Sequence, residues 1–217
     1  LSLLTGVKKV KVIGSDLSHA TLASIQSDFP NTKLVWRVYV AGNPFLTDEE
    51  MAAFESLHPV FGSKMATARD LFVFQMYTGL AYSDSQAFDF SRYRMVDGKW
   101  INTSERVKTG VPYVSQLLPP VVDVLQKHGM KVPQIDNSDY NHLLKLIGDI
   151  AGIDTRMHSH LGRHTFATYM LRNGTRFENV SKMLGHKNLT QTLRYAKVLA
   201  ESVHEAYDKV ANKLKNK

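Results

Sequence analysis

Residues 158–168 read HSHLGRHTFAT, and residues 183–198 read MLGHKNLTQTLRYAKV. On a helix, His160 and Arg163 are three residues apart and lie on one face, so a proton-transfer group and a permanent cation share a surface. Gly185 is placed to end the following helix as a left-handed cap, which leaves His186 in the loop beyond it. Tyr195 comes nine residues after His186. Helices are expected here at about 160–173, 176–184, 189–198 and 201–214.

Upstream, Thr47 reads as the N-cap of a helix, with Glu50 three residues on and Leu46 placed to pack on Met51: a capping box with a hydrophobic staple. A longer helix is predicted from Lys64 to Thr78, with Met65, Ala68, Phe72 and Met76 on one apolar face and Gly79 as its C-cap. A short helix in TGLAYSDSQA follows. Between Arg92 and Leu117 the period changes, with Asp97-Gly98 and Thr109-Gly110 as turn signals between β-rich stretches. After Pro119-Pro120, helices resume at about 120–128 and 138–151. The expected fold class is mainly α with a small antiparallel β-sheet (α+β), one domain over residues 45–217 that ends in the helix 201–214. Residues 1–44 form a separate segment of unassigned role. VKKVKVI and KLVWRVYV read as strands there, with a short helix from near Asp16 between them.

The net charge is +7 over 217 residues, and its distribution is lopsided. Residues 1–157 balance at 16 basic and 16 acidic side chains, whereas residues 158–217 hold 11 basic and 4 acidic. The C-terminal end therefore suits a polyanion such as duplex DNA, although a solvated terminus with Lys213, Lys215 and Lys217 accounts for part of the excess. The chain has no cysteine, which excludes disulfides, Cys-ligated zinc and thiol nucleophiles. With no apolar run near membrane-spanning length and no signal-peptide pattern, a soluble, intracellular protein is expected.

Other chemistries fit poorly. His160 and His164 have the i, i+4 metal spacing, but the helical metalloprotease pattern needs Glu where Leu161 stands. No G-x-S-x-G elbow supports a hydrolase triad. A P-loop is also lacking.

HLGRHTFAT, LGH and the tyrosine nine residues beyond that histidine resemble the signature of the tyrosine recombinases, the phage integrase family. The similarity runs from about Leu46 to Val198 and includes LTDEEM, YTGLAYSD, VKTG and QLLPP. TGLAYSD and SKMLGH are most similar to mobile-element integrases of Bacteroides-type bacteria. The resemblance implies a catalytic domain that cuts one DNA strand through a 3′-phosphotyrosine link and leaves a 5′-hydroxyl. It matches Tyr195 to the nucleophile, His160 and Arg163 to the His-x-x-Arg pair, and His186 to the third-motif histidine. Lys108 matches the acid that protonates the leaving oxygen, and Asp84 the supporting acidic position. It further implies double-stranded DNA as partner, a homotetramer on DNA built from a monomer in solution, no cofactor or metal, and a bacterial, cytoplasmic, nucleoid-associated location.

That set agrees with the chemistry. A phosphodiester transition state spreads negative charge over oxygens that fixed guanidinium and imidazole donors can stabilise. A phenol of pKa about 10 is a weak nucleophile at neutral pH, so Tyr195 needs a nearby base or cation, for which His160 is the better-placed candidate. The pattern departs at Ala81, where the family carries an arginine after TGL. Arg69, Arg92 and Arg94 are the candidate substitutes, and Arg69, one helix earlier, is the first choice. Residues 1–44 are also too few for the family's usual core-binding domain, and read as a remnant of one or a linker. The rivals are a type IB topoisomerase-like enzyme and a non-catalytic DNA-binding module.

Overall fold

The computed structural model describes residues 9–13, 33–37 and 45–195. In the first segment β1 (Lys9–Ile13) pairs in parallel with β2 (Lys33–Arg37). The helix expected between them and the helix expected over 201–214 lie outside the described residues.

Thr47 caps α1 (Asp48–Glu55): its hydroxyl accepts from the Glu50 N–H while the Glu50 carboxylate accepts from the Thr47 N–H. Leu46 and Met51 on either side are both buried, as the staple requires. Next comes α2 (Lys64–Thr78), closed by Gly79 at φ +70°, a left-handed cap that residues with a Cβ adopt only with strain. Sequence spacing suggested one apolar face for α2. The structure corrects this: Leu71, Phe72, Val73, Phe74 and Met76 are buried all round it, because later helices close over both sides. It is the central helix, in contact with α4 (Pro119–Lys127), α5 (Asn137–Ala151) and α6 (Leu161–Arg172). Tyr140 of α5 is fully buried and hydrogen-bonded to Gln75 of α2 at 2.6 Å, which satisfies two polar groups inside this core.

Between α2 and α4 lie the short α3 (Tyr82–Gln86) and an antiparallel sheet of β3 (Arg94–Val96), β4 (Lys99–Glu105) and β5 (Pro112–Gln116), in the order β3-β4-β5. Asp97 and Gly98 have φ +48° and +73°, the signature of a two-residue hairpin turn. Val111 and Arg106 close the second, longer turn through the Arg106 N–H to Val111 carbonyl bond.

The chain then runs through α4, α5, α6 and α7 (Phe177–Leu184). Phe166, Ala167, Leu171, Val180, Leu184 and Tyr195 form a second buried cluster between α6, α7 and the end of the described chain. The helix expected over 189–198 is corrected within its described part to two 3₁₀ turns, Leu189–Gln191 and Leu193–Tyr195. Asn188 is the reason for the first: its side chain accepts from the Gln191 N–H and fixes a tight three-residue turn.

Candidate active site

α6 starts one residue after His160, which occupies the N-cap position without capping the helix. The helical repeat then carries Arg163 and His164 to the same end. Arg163 is buried, and its guanidinium donates to the carbonyl of Gly79 at 2.8 Å and to that of Leu184 at 2.6 Å. Those carbonyls sit at the C-terminal ends of α2 and α7, where helix dipoles present partial negative charge to a cation.

A second guanidinium meets the first. Arg106, at the end of β4, donates from Nη1 to the same Leu184 carbonyl at 2.9 Å. Its Nε lies 2.7 Å from Asp84 Oδ2 in an ionic contact without hydrogen-bond alignment. Asp84 is buried on α3, and its other oxygen accepts from the Val107 N–H at 2.7 Å. Asp84 thus fixes both the Arg106 side chain and the backbone beside it. Gly185, at φ +59°, completes the fit: a Cβ there would stand 2.8 Å from Arg106 Cγ and 3.2 Å from Tyr113 Cβ. Burial pushes the Tyr113 phenol above its ordinary range, so it stays neutral beside this charge.

Tyr195 is 2% exposed, and its hydroxyl is hydrogen-bonded to His164 Nδ1 at 2.8 Å. The exposed His160 packs edge-on against the His164 ring, with centroids 4.7 Å apart. The His186 Nδ1 is hydrogen-bonded to Thr192 Oγ1 at 2.6 Å, and the Thr192 carbonyl accepts from the Tyr195 N–H at 3.0 Å. Lys108 is exposed on the β4–β5 turn, two residues beyond Arg106.

Among the residues expected from sequence, the structure joins Arg163 to Asp84 through Arg106, and His160 to Tyr195 through His164. Arg69, the first choice by sequence for the missing cation, has its bonds elsewhere. The Arg69 guanidinium is taken by Asp70 Oδ1 at 3.0 Å and by the Glu55 carbonyl, in the first half of α2, while Arg163 bonds beyond that helix's last residue. Arg92 pairs with Asp89, and Arg94 is exposed on β3. Sequence reasoning missed Arg106 and His164. Arg106 had a signal, since it stands two residues before Lys108 in SERVKTG. His164 was weighed only for its metal spacing to His160. Among the described residues, no three His, Asp or Glu side chains converge as a metal group, and no helix is long and apolar enough to cross a membrane.

Comparison with known proteins identifies the family and the fold. The chain matches the phage integrase family over residues 46–202. Tyrosine recombinase XerC of Oceanobacillus iheyensis is 28% identical over 204 residues, covering 79% of this chain and 67% of XerC. Tyrosine recombinase XerA of Thermococcus onnurineus is 46% identical over 68 residues, 31% of this chain and only 23% of XerA. The matched lengths are thus two thirds of the first relative and less than a quarter of the second. The XerH site-specific recombinase in its post-cleavage complex with a difH substrate superposes with a TM-score of 0.60 at 15% identity, over 87% of this chain and 64% of XerH. The catalytic domain of bacteriophage HP1 integrase gives 0.51 at 20% identity, over 74% of this chain and 93% of that domain. At those identities the likeness is one of fold. The family match over most of the chain, on a fold shared with these catalytic domains, shows that this protein belongs to the phage integrase family and carries a tyrosine recombinase catalytic domain.

Proposed function

We propose that the domain cuts and rejoins DNA at specific sites, with Tyr195 attacking the scissile phosphate to form a 3′-phosphotyrosine and release a 5′-hydroxyl. The observation that carries this reading is the pair of guanidiniums, Arg163 and Arg106, on the carbonyl oxygen of Leu184, two residues before His186, with Arg163 on the helix that holds Tyr195 through His164. Two clustered cations supply what a phosphoryl transition state needs, namely fixed positive charge against its equatorial oxygens. Arg106 takes the place of the arginine missing at Ala81, reaching the site from the sheet. His186 and His160 add imidazole donors, and Lys108 on its exposed turn protonates the leaving oxygen. The phosphotyrosine retains the ester bond energy, so the 5′-hydroxyl can reseal the strand without ATP, metal or other cofactor.

Duplex DNA is the partner that suits the basic C-terminal portion; XerH has a structure bound to its difH substrate, and a Tn1549 transposon integrase one in complex with circular intermediate DNA. The domain works as one subunit of a tetramer assembled on its site from monomers. Val203, Ala206, Tyr207, Val210 and Leu214, at helical spacing, are the sequence feature that favours such assembly, and they lie outside the described residues. The TGLAYSD and SKMLGH wording favours a Bacteroides-type mobile element as the source.

The test is incubation with a nicked suicide duplex followed by denaturing electrophoresis. The parent protein should yield a denaturation-resistant protein–DNA adduct and Tyr195→Phe none. An adduct that persists in Tyr195→Phe would overturn the assignment, and strong binding without an adduct would favour a DNA-binding module.

A further inference from the structure

The nucleophile's proton has to go somewhere, and the fold places an acceptor against it. Tyr195 Oη lies 2.8 Å from His164 Nδ1, inside the 2.6–3.2 Å reach that a general base needs. The phenol is 2% exposed, so bulk water has little access to it. His160, the base expected from sequence, instead stands exposed at the helix start and touches the His164 ring. The backbone supports the same contact: the Tyr195 N–H is held by the Thr192 carbonyl, and Phe166 and Ala167, one turn along α6, pack in the same buried cluster as the Tyr195 ring.

We infer that His164 is the catalytic base for Tyr195, an inference that rests on the recombinase reading above. In the starting state Nδ1 is unprotonated, Nε2 carries the hydrogen, and the phenol donates. As Oη attacks, the Oη–P bond forms and the P–O5′ bond breaks. The phenol proton passes to Nδ1, leaving His164 an imidazolium, while O5′ takes a proton from the Lys108 ammonium. Resealing reverses each transfer: O5′ attacks phosphorus, returns its proton to Lys108, and the departing Oη recovers its own from His164. His160 stands beside this pair, in contact with the His164 ring.

The test separates base from acid by the leaving group. Adduct formation is followed in a single turnover on the suicide duplex and on the same duplex with sulfur in place of the bridging O5′, whose thiolate leaves without an acid. In His164→Asn the Oδ1 keeps an acceptor near the Nδ1 position but cannot take a proton at neutral pH. We expect it to slow cleavage by about 10²-fold, the lower end of general-base contributions, on both substrates. Lys108→Ala should be slow on the oxygen ester and restored on the sulfur one. Parent-rate cleavage by His164→Asn, or its rescue by sulfur, would each overturn the inference. A DNA-free measurement on the parent protein keeps the two readings apart. In ¹⁵N spectra His164 Nδ1 should appear as an unprotonated acceptor whose shift moves in Tyr195→Phe. A protonated Nδ1, donating to Oη, would refute the base assignment whether or not the protein cuts DNA. No adduct in the parent, with the acceptor signal present, would count against the recombinase reading alone.

Discussion

Arg106 and Arg163 donate to the same atom, the carbonyl oxygen of Leu184, at 2.9 and 2.6 Å. Two guanidiniums this close repel each other, and the protein offsets the repulsion with the carbonyl ends of α2 and α7 and with the Asp84 carboxylate. The pair is therefore held in place by the protein's own groups, and the proposed reaction would draw on that preorganisation. Asp84 touches Arg106 and the backbone of Val107, so it fixes the position of this cation.

Arg106→Ala should lower the cleavage rate by about 10²–10³, the usual cost of one transition-state donor, with a much smaller change in DNA affinity. Lysine should restore little, because an ammonium cannot bond Leu184 and reach a phosphate with the same planar fork. Ala81→Arg placed in the Arg106→Ala background should recover part of the rate. Parent-rate cleavage by Arg106→Ala in a single-turnover assay would show that the second cation comes from elsewhere.

Arg69 should matter for stability. Asp70 is fully buried and takes Lys127 at 2.7 Å, His128 at 2.8 Å and Arg69 at 3.0 Å. Burial pushes its carboxyl up, but the bonds from Lys127, His128 and Arg69 outweigh that and hold it below its ordinary value. A carboxyl depressed in the folded state stabilises the fold above its unfolded pKa of about 3.9, and the gain is lost as pH falls through the folded value. Asp70→Asn should therefore cost about 2–3 kcal/mol at neutral pH, less than a fully buried pair because Lys127 is 40% exposed. The difference from the parent should shrink as pH falls below about 4. Urea midpoints at pH 7 and pH 3 check this. Arg69→Ala should shift the midpoint while leaving the cleavage rate of the folded protein unchanged.

Local rules explain why some elements were legible and others were not. Thr47, Glu50, Gly79 and Gly185 announce their caps because capping depends on nearest neighbours in sequence, and the Asp97-Gly98 hairpin does so for the same reason. The surroundings of α2 were hidden: the burial of a helix on all sides is decided by α4, α5 and α6, more than 40 residues downstream in each case. Arg106 was half hidden, with its place two residues before Lys108 in view and its partner not. Its role follows from the Leu184 carbonyl, 78 residues away, and no spacing rule connects a strand end to a helix end across that gap. His164 sat in plain view, one residue after Arg163. Its task depends on where the 3₁₀ turns deliver Tyr195, and sequence spacing had promised a continuous helix there.

DNA binding should weaken steeply with salt. Residues 158–217 carry 11 basic side chains against 4 acidic, and each Lys or Arg that neutralises a phosphate releases a condensed counterion. Between about 50 and 200 mM salt, six or more phosphate contacts would lower affinity by about 10³-fold or more. A binding constant measured by fluorescence anisotropy that stays flat over this range would remove duplex DNA as the partner.

Thr192 links His186 and Tyr195 through different atoms, its hydroxyl to His186 Nδ1 and its carbonyl to the Tyr195 N–H. Thr192→Val keeps the shape and the carbonyl but removes the hydroxyl, so only the His186 contact is lost. An imidazole deprived of a buried partner costs about 1–3 kcal/mol, and 1.36 kcal/mol is a tenfold change in rate. If His186 acts only when held in this orientation, Thr192→Val should slow adduct formation by about tenfold or more while Tyr195 stays in place, and Thr192→Ser should restore it. The His186 ring carries its own report, because its ¹⁵N tautomer signal should change in Thr192→Val and return in Thr192→Ser. Equal loss of rate in both variants, with His186 unchanged, would mean that Thr192 serves packing alone.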